Sequence, residues 1–163
     1  MKSILLLLAL LAQKTVPVRE FPADIDAAKE AKLSEKQIFA NSILRVFHVV
    51  IPSGVKELHF APDKTGFFVA GAKQVIWHDR PVIIRGEAVH VEFVKHYAVS
   101  SAAAKDGALF ENSLVRVQVA QSAQASAGKK IVPVVEWPDG QKTFTIRNLG
   151  HDGSAGVTVT LKF

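Results

Sequence analysis

The densest run of β-branched and aromatic residues in the chain spans residues 80–101. From Val89 onward, apolar and polar side chains largely alternate along this run. The odd positions are Val89, Val91, Phe93, Lys95 and Tyr97, and the even positions are His90, Glu92, Val94 and His96. A period of two residues is typical of a β-strand with one face in the core and the other in water. The sequence therefore predicts a central strand whose even face is mostly solvated.

An apolar run at residues 82–84 is separated from this alternation by Gly86-Glu87. Glycine adopts positive φ without steric cost, so the pair indicates a tight turn or a β-bulge. With a two-residue turn, residues 82–85 and 88–91 are the arms of a hairpin. With a bulge, they belong to one long bent strand, and the sequence does not decide between the two.

Shorter strand patterns, separated by turn residues, occupy most of the chain from residue 42 onward. They cover residues 42–51, 55–60, 66–70, 74–78, 114–120, 131–137, 143–147 and 157–163, with loops predicted at 102–112 and 121–128. Pro138-Asp139-Gly140 is the strongest hairpin signal, because Asp-Gly supplies the turn chemistry directly. Many short strands with turns between them favour an antiparallel sandwich or barrel. We predict an all-β fold, a jelly-roll-like antiparallel β-sandwich, over residues 42–163.

The first 14 residues combine a lysine, an apolar block from Ile4 to Ala12 and a polar exit, which is the layout of a secretory signal. The block is shorter than the roughly 20 apolar residues that a membrane-spanning helix needs. Three interpretations stay open. Residues 1–14 are a cleaved signal peptide, a retained hydrophobic arm that packs on a partner or contacts a membrane, or a first element of the core.

Residues 15–41 are predicted to be an extended and helical N-terminal segment. Pro17 disfavours helical backbone at Val16. Residues 23–32 are rich in good helix formers, with acids first and bases later, as the helix dipole favours. Ser34 and Gln37 have the spacing of a capping box, which predicts a second short helix through about Ala40. The predicted organisation is thus residues 1–14, 15–41 and 42–163.

Composition narrows the class of protein. The chain has 163 residues, of which 48% are hydrophobic and 21% charged, so it can bury a core of its own. It contains no cysteine, which excludes disulfides, thiolate zinc sites and cysteine nucleophiles. The net charge of +5 favours acidic partners. Because the lysines and arginines are scattered and not interleaved with aromatics, we expect no specific nucleic-acid binding.

Three side chains of the central strand are of the types that bind divalent metal ions, namely His90, Glu92 and His96. In an extended chain, positions 90 and 96 are roughly 20 Å apart, which is too far for both histidines to reach one ion. Residues 77–80 place His78 beside Asp79, but no motif for an activated nucleophile accompanies them. We therefore expect no enzymatic activity, no metal ion and no cofactor.

Trp77, Trp137 and Tyr97 are the candidate ligand-binding residues, because three such side chains on one surface can form an aromatic platform for carbohydrate. The alternative is that they belong to the core.

The sequence leaves two functions open. The first is a structural protein that contacts protein subunits in homo- or hetero-oligomers through its N-terminal arm. Small capsid, decoration or vertex components of bacterial viruses commonly have this build, and by this analogy the first function predicts a location in the virion. The second is an exported periplasmic or extracellular β-sandwich binding module with a cleaved signal peptide.

Overall fold

Twelve β-strands and no helix occur in the part of the chain that the computed structural model describes. The described residues are 16–17, 34–52, 58–59, 63–71, 74–79, 82–120, 131–150 and 152–163. The strands are β1 (Val16–Pro17), β2 (Ser34–Ala40), β3 (Leu44–Ile51), β4 (Leu58–His59), β5 (Gly66–Ala70), β6 (Gln74–Trp77), β7 (Gly86–Phe93), β8 (Ala108–Glu111), β9 (Val115–Val119), β10 (Val134–Glu136), β11 (Thr143–Leu149) and β12 (Ala155–Leu161).

Ten of these strands form two antiparallel five-stranded sheets. The first sheet has the order β2-β3-β7-β5-β6 and the second has the order β10-β11-β12-β9-β8, while β1 and β4 form a short parallel pair. The chain thus completes the first sheet before it begins the second. A jelly roll is instead built from two Greek keys over two sheets. The all-β prediction is confirmed, and the jelly-roll connectivity is not confirmed.

One apolar core joins the two sheets face to face in a sandwich-like arrangement. Its buried members alternate along the strands: Leu44, Val46, Phe67, Val69, Val89, Val91 and Phe93 from the first sheet, and Val115, Val117, Phe144, Ile146, Leu149, Val157, Val159 and Leu161 from the second. Burying each such side chain stabilises the fold by about 1.5–3 kcal/mol relative to leaving it in water. The odd positions of β7 are therefore core positions, as the alternation predicts.

Aromatic stacks close both lateral edges of this core. At one edge, Trp77 of β6 stacks on Phe67 and on Phe110 of β8, with 5.8 Å between ring centroids in each pair. At the opposite edge, the ring of Trp137 stacks on Phe144, with 4.8 Å between the centroids, and on Phe39 of β2, at 5.9 Å. Each stack joins an outer strand of one sheet to an outer strand of the other.

The first sheet is covered on its outer face as well. A second apolar cluster there contains Phe47, Val49, Ile51, Phe68 and Ala88 of the sheet, together with Leu58, Val82 and Ile84. We call these last three residues the outer layer. Leu58 and Val82 hold each other through two backbone hydrogen bonds of 2.8 Å. The even positions of β7 are buried as well: His90 is 0% and Glu92 3% exposed. The prediction that this face is solvated is therefore wrong for His90 and Glu92, whereas Val94 and His96, which follow the strand, are exposed.

The predicted short helix from Ser34 to Ala40 is also wrong, because Ser34–Ala40 is strand β2 at the edge of the first sheet. A capping interaction stabilises a helix by only about 1 kcal/mol. As a strand, the same segment pairs with β3 along its length and packs Ile38 and Phe39 against the core. A register shift between Gln37 and Phe39 marks a bulge that keeps Phe39 at the core. The predicted helix over residues 23–32 lies outside the described residues.

Gly86 resolves the open question at the start of the central run. It has φ of +75° and is the first residue of β7, opposite Ile51 of β3. Val82 pairs with Leu58 and not with residues 88–91, so there is neither a hairpin nor one long bent strand. The predicted Asp139-Gly140 turn is confirmed: it joins the antiparallel strands β10 and β11, and the Gln141 amide donates to the Pro138 carbonyl oxygen over 3.2 Å. Residues 102–112, predicted as a loop, contain strand β8.

Candidate functional site

A group of polar side chains lies beside the outer layer, on the outer face of the first sheet. Strand register places Arg45, Glu92 and Gly66 in one row across β3, β7 and β5. His78 follows β6 and extends this row, since its amide donates to the Gly66 carbonyl oxygen over 3.2 Å. The next row contains His90. We call Lys64, His78, His90 and Glu92 the buried polar cluster.

The two imidazoles of this cluster are enclosed by rings and backbone. The centroid of the His90 ring lies 4.6 Å from that of Phe68 and 6.0 Å from that of Phe47. The His78 ring meets the His90 ring edge-on, with 5.3 Å between the centroids. His78 also packs closely on Gly66, where a Cβ would overlap its Nε2. Gly66 therefore provides the space that the His78 ring occupies.

Glu92 is the carboxylate of the cluster. Its Oε1 lies 3.5 Å from Nζ of Lys64, whose own side chain is 37% exposed. Burial raises the pKa of Glu92 above its ordinary value, and the positive charges of Lys64 and Arg45 oppose that rise. Lys64 is thus the solvent-facing partner of a carboxylate that is otherwise closed off from water.

Both histidines are held in the neutral form at neutral pH. Burial lowers the pKa of His78 from 6.5 to about 4. Burial lowers the pKa of His90 well below 6.5, and the neighbouring His78 and Lys64 lower it further. The cluster therefore accepts protons only in acid or when it is opened to water. That is the chemistry of a pH-sensitive element.

Glu35 on β2 is a second carboxyl on the same face, since it lies opposite Val49 of β3, and it is partly buried. Its Oε1 atom is buried and has no hydrogen-bond partner in the structure. Burial, with a smaller contribution from the charge of Glu92, raises the pKa of Glu35 from 4.5 to about 7. At neutral pH, Glu35 is therefore divided between its neutral and charged forms.

Replacing Glu35 with glutamine is expected to stabilise the protein in alkaline solution only. A raised carboxyl pKa contributes stability that is complete below pH 4.5 and is lost as the pH rises through about 7. Because the side chain is only partly buried, we expect E35Q to gain about 1–2 kcal/mol at pH 8.5 and almost nothing at pH 4.5. Urea unfolding at the two pH values measures the difference. The exposed Glu87→Gln serves as the control, and an equal gain for E35Q at both pH values contradicts the interpretation.

The structure does not bring the three candidate ligand-binding residues together. Trp77 and Trp137 lie at opposite lateral edges of the sandwich, each in its own aromatic stack. Trp137 also donates from Nε1 to the Gln141 carbonyl oxygen over 2.8 Å. Tyr97 packs between Phe93 and the C-terminal Phe163. Each of the three rings has a packing role of its own.

The other candidates from the sequence are likewise separated. His96 is exposed and its Nδ1 lies 3.2 Å from the Thr65 hydroxyl, whereas His90 and Glu92 are buried. Among the described residues, no group of three or more ligating side chains is placed to hold a metal ion. Asp79, next to His78 in sequence, is exposed.

Sequence reasoning missed the buried polar cluster as a unit. Two of its members, His90 and Glu92, share one predicted strand face, but nothing in the sequence connects Lys64 with them. The available signal was the apolar run at residues 82–84, which gives more apolar side chains than one strand face can use. That excess indicates a second buried surface next to the central strand.

Comparison with known proteins identifies no relative: no family model, no curated protein and no solved structure matches the chain. Within the described part of the chain, no helix is both long enough and apolar enough to span a membrane.

Proposed function

We propose that the protein is a non-enzymatic structural component, a small virion protein of a bacterial virus, that contacts neighbouring subunits through its N-terminal arm. The observation that carries this proposal is the pairing of β1 with β4, which docks Val16 and Pro17 beside Leu58 and the outer layer. In the sequence, the apolar block from Ile4 to Ala12 precedes this paired strand. An apolar segment in that position suits contact with a neighbouring subunit.

The outer face of the second sheet is polar among the described residues, which supports a role in assembly. Its strands present threonines in register, Thr143 opposite Thr160 and Thr145 opposite Thr158, and Arg147 forms a 2.6 Å ion pair with Glu136. Polar faces of this kind keep a sandwich soluble and pair easily with other polar surfaces. The exported binding module stays the second prediction; no contact among the described residues favours it.

Deleting residues 1–14 is expected to convert an oligomer into smaller particles, because the apolar arm is removed while the sandwich is kept. Light scattering coupled to size-exclusion chromatography measures the particle mass. The length-matched variant Leu5→Ser/Leu7→Ser is expected to behave like the deletion, and Thr158→Ala on the second sheet is expected to behave like the wild type. A full-length protein that is monomeric at all concentrations, or a deletion that leaves the oligomer intact, refutes the proposal.

A further inference from the structure

The outer layer belongs to the same apolar cluster as Phe47 and Phe68, the two rings that pack on His90. Leu58, Val82 and Ile84 pack in one cluster with Phe47 and Phe68. Among the described residues, the layer is held by the reciprocal hydrogen bonds of Leu58 and Val82 and by the two-residue pairing of β1 with β4. The sandwich below has five strands in each sheet. Local opening is expected where hydrogen-bonded pairs are few, so the described contacts lead us to expect that this layer opens before the sandwich.

Charged groups from five elements lie in or around the buried polar cluster. Arg45 of β3 and Lys64 before β5 bring positive charge, Glu92 of β7 and Asp79 after β6 bring negative charge, and Glu35 of β2 is a partly neutral carboxyl. If both imidazoles were protonated in the closed cluster, two cations would lie with 5.3 Å between their ring centroids, without bulk water. Such burial of like charges is strongly unfavourable.

We propose that the outer layer opens in mildly acidic solution because His78 and His90 take up protons, while the two-sheet sandwich beneath it stays folded. Opening hydrates Phe47 and Phe68 together with the His90 imidazole between them and the His78 imidazole beside it. It thereby exposes an apolar surface on the outer face of the first sheet that is covered at neutral pH.

The direction of the effect follows from the histidine pKa values. A histidine pKa that is lowered by burial contributes stability to the closed state that is complete above 6.5 and is lost as the pH falls through the closed-state value, about 4 for His78. In that window, each histidine makes the opening equilibrium constant about tenfold larger per pH unit. With both histidines, the expected increase is about 100-fold per pH unit.

Hydrogen exchange at single amides measures this opening in the full-length protein. The amides of Leu58 and Val82 report on the outer layer, because each donates to the other residue's carbonyl oxygen. The amide of Leu161, which donates to the Lys142 carbonyl oxygen, reports on the second sheet. After correction for the intrinsic pH dependence of exchange, the protection of Leu58 and Val82 is expected to fall by about 100-fold per unit between pH 6 and 5. The Leu161 amide is expected to stay better protected than the amides of Leu58 and Val82, and the difference is expected to grow as the pH falls.

Two variants distinguish the effect of histidine protonation from a general loss of stability in acid. His90→Phe places an apolar ring between Phe47 and Phe68, and His78→Gln removes the second imidazole. Each is expected to reduce the pH dependence to about tenfold per unit, since one titrating group remains. His96→Gln removes an exposed imidazole and is expected to leave the dependence unchanged. If one of the two cluster variants fails to fold, the other decides the question alone.

Three results would overturn the inference. The first is a pH-independent protection of Leu58 and Val82. The second is an unchanged pH dependence in both cluster variants, and the third is a loss of Leu161 protection in step with the outer layer. Because β1 pairs with β4, opening would also free the base of the N-terminal arm, and this one consequence rests on the proposed function. Exchange tests the opening and the arm deletion tests assembly, so either can fail without the other.

Discussion

Replacing Phe67 with alanine is expected to lower the free energy of unfolding by about 3–5 kcal/mol. Phe67 is fully buried, and its ring stacks on Trp77 with an interplanar angle of 15°. Trp77 in turn lies parallel to Phe110 of the second sheet, at an interplanar angle of 4°. Removing the Phe67 ring leaves a cavity and removes one of the two rings that stack on Trp77. The cost therefore includes both lost burial and lost stacking.

Urea unfolding monitored by tryptophan fluorescence measures this effect. Phe163→Ala is the matched control, because the same ring is deleted from a side chain that is 45% exposed. We expect the control to cost less than about 1 kcal/mol. Equal losses for the two variants would show that the stack at β6 and β8 is not a stabilising part of the core.

The aromatic stacks also show why the sequence is compatible with the tryptophans both as a ligand platform and as core residues. A β-sandwich has two open lateral edges where its sheets end. Trp77 and Trp137 occupy those two edges, each between a ring from its own sheet and a ring from the other. From the sequence alone, a half-buried tryptophan at such an edge has the same signature as a binding residue.

Most strands were predictable because their signal is local. The alternation in β7 and β9 and the Asp-Gly turn after β10 depend only on neighbouring residues. The two main errors concern long-range pairing. The environment of His90 depends on Phe47 and Phe68, whose rings pack on it from the neighbouring strands β3 and β5. Likewise, β2 is a strand because β3 offers it a partner, which outweighs a local capping signal.

The candidate site was only partly predictable for the same reason. Lys64, Gly66 and His78 come from β5, β6 and their ends, and strand register brings them to Glu92 and His90 of β7. This register cannot be predicted from the sequence alone. A one-residue shift would place each of these side chains on the opposite face of the sheet. The chemistry of the cluster, two neutral imidazoles next to a lysine-paired carboxylate, therefore becomes visible only in the folded protein.

Replacing Gly66 with alanine is expected to destabilise the protein by about 3 kcal/mol, at the upper end of the range for overpacking. A Cβ at this position would overlap His78 Nε2 on one side and the Val91 carbonyl oxygen on the other. The His78 ring cannot move away freely, since it packs against the rings of His90 and Trp77. The Val91 carbonyl belongs to the central strand and moves only if the pairing of β5 with β7 is disturbed.

A control and a double variant distinguish this steric cause from the general cost of replacing glycine. Gly71→Asn is the control: a Cβ there meets nothing within 4 Å, and asparagine tolerates the φ of +60° at that position. We expect it to change the free energy of unfolding by less than about 1 kcal/mol. Adding His78→Gln to Gly66→Ala is expected to recover only part of the loss, because the overlap with the Val91 backbone remains. Complete recovery in the double variant would instead show that the imidazole alone requires glycine at position 66, and that the sheet itself accepts a side chain there.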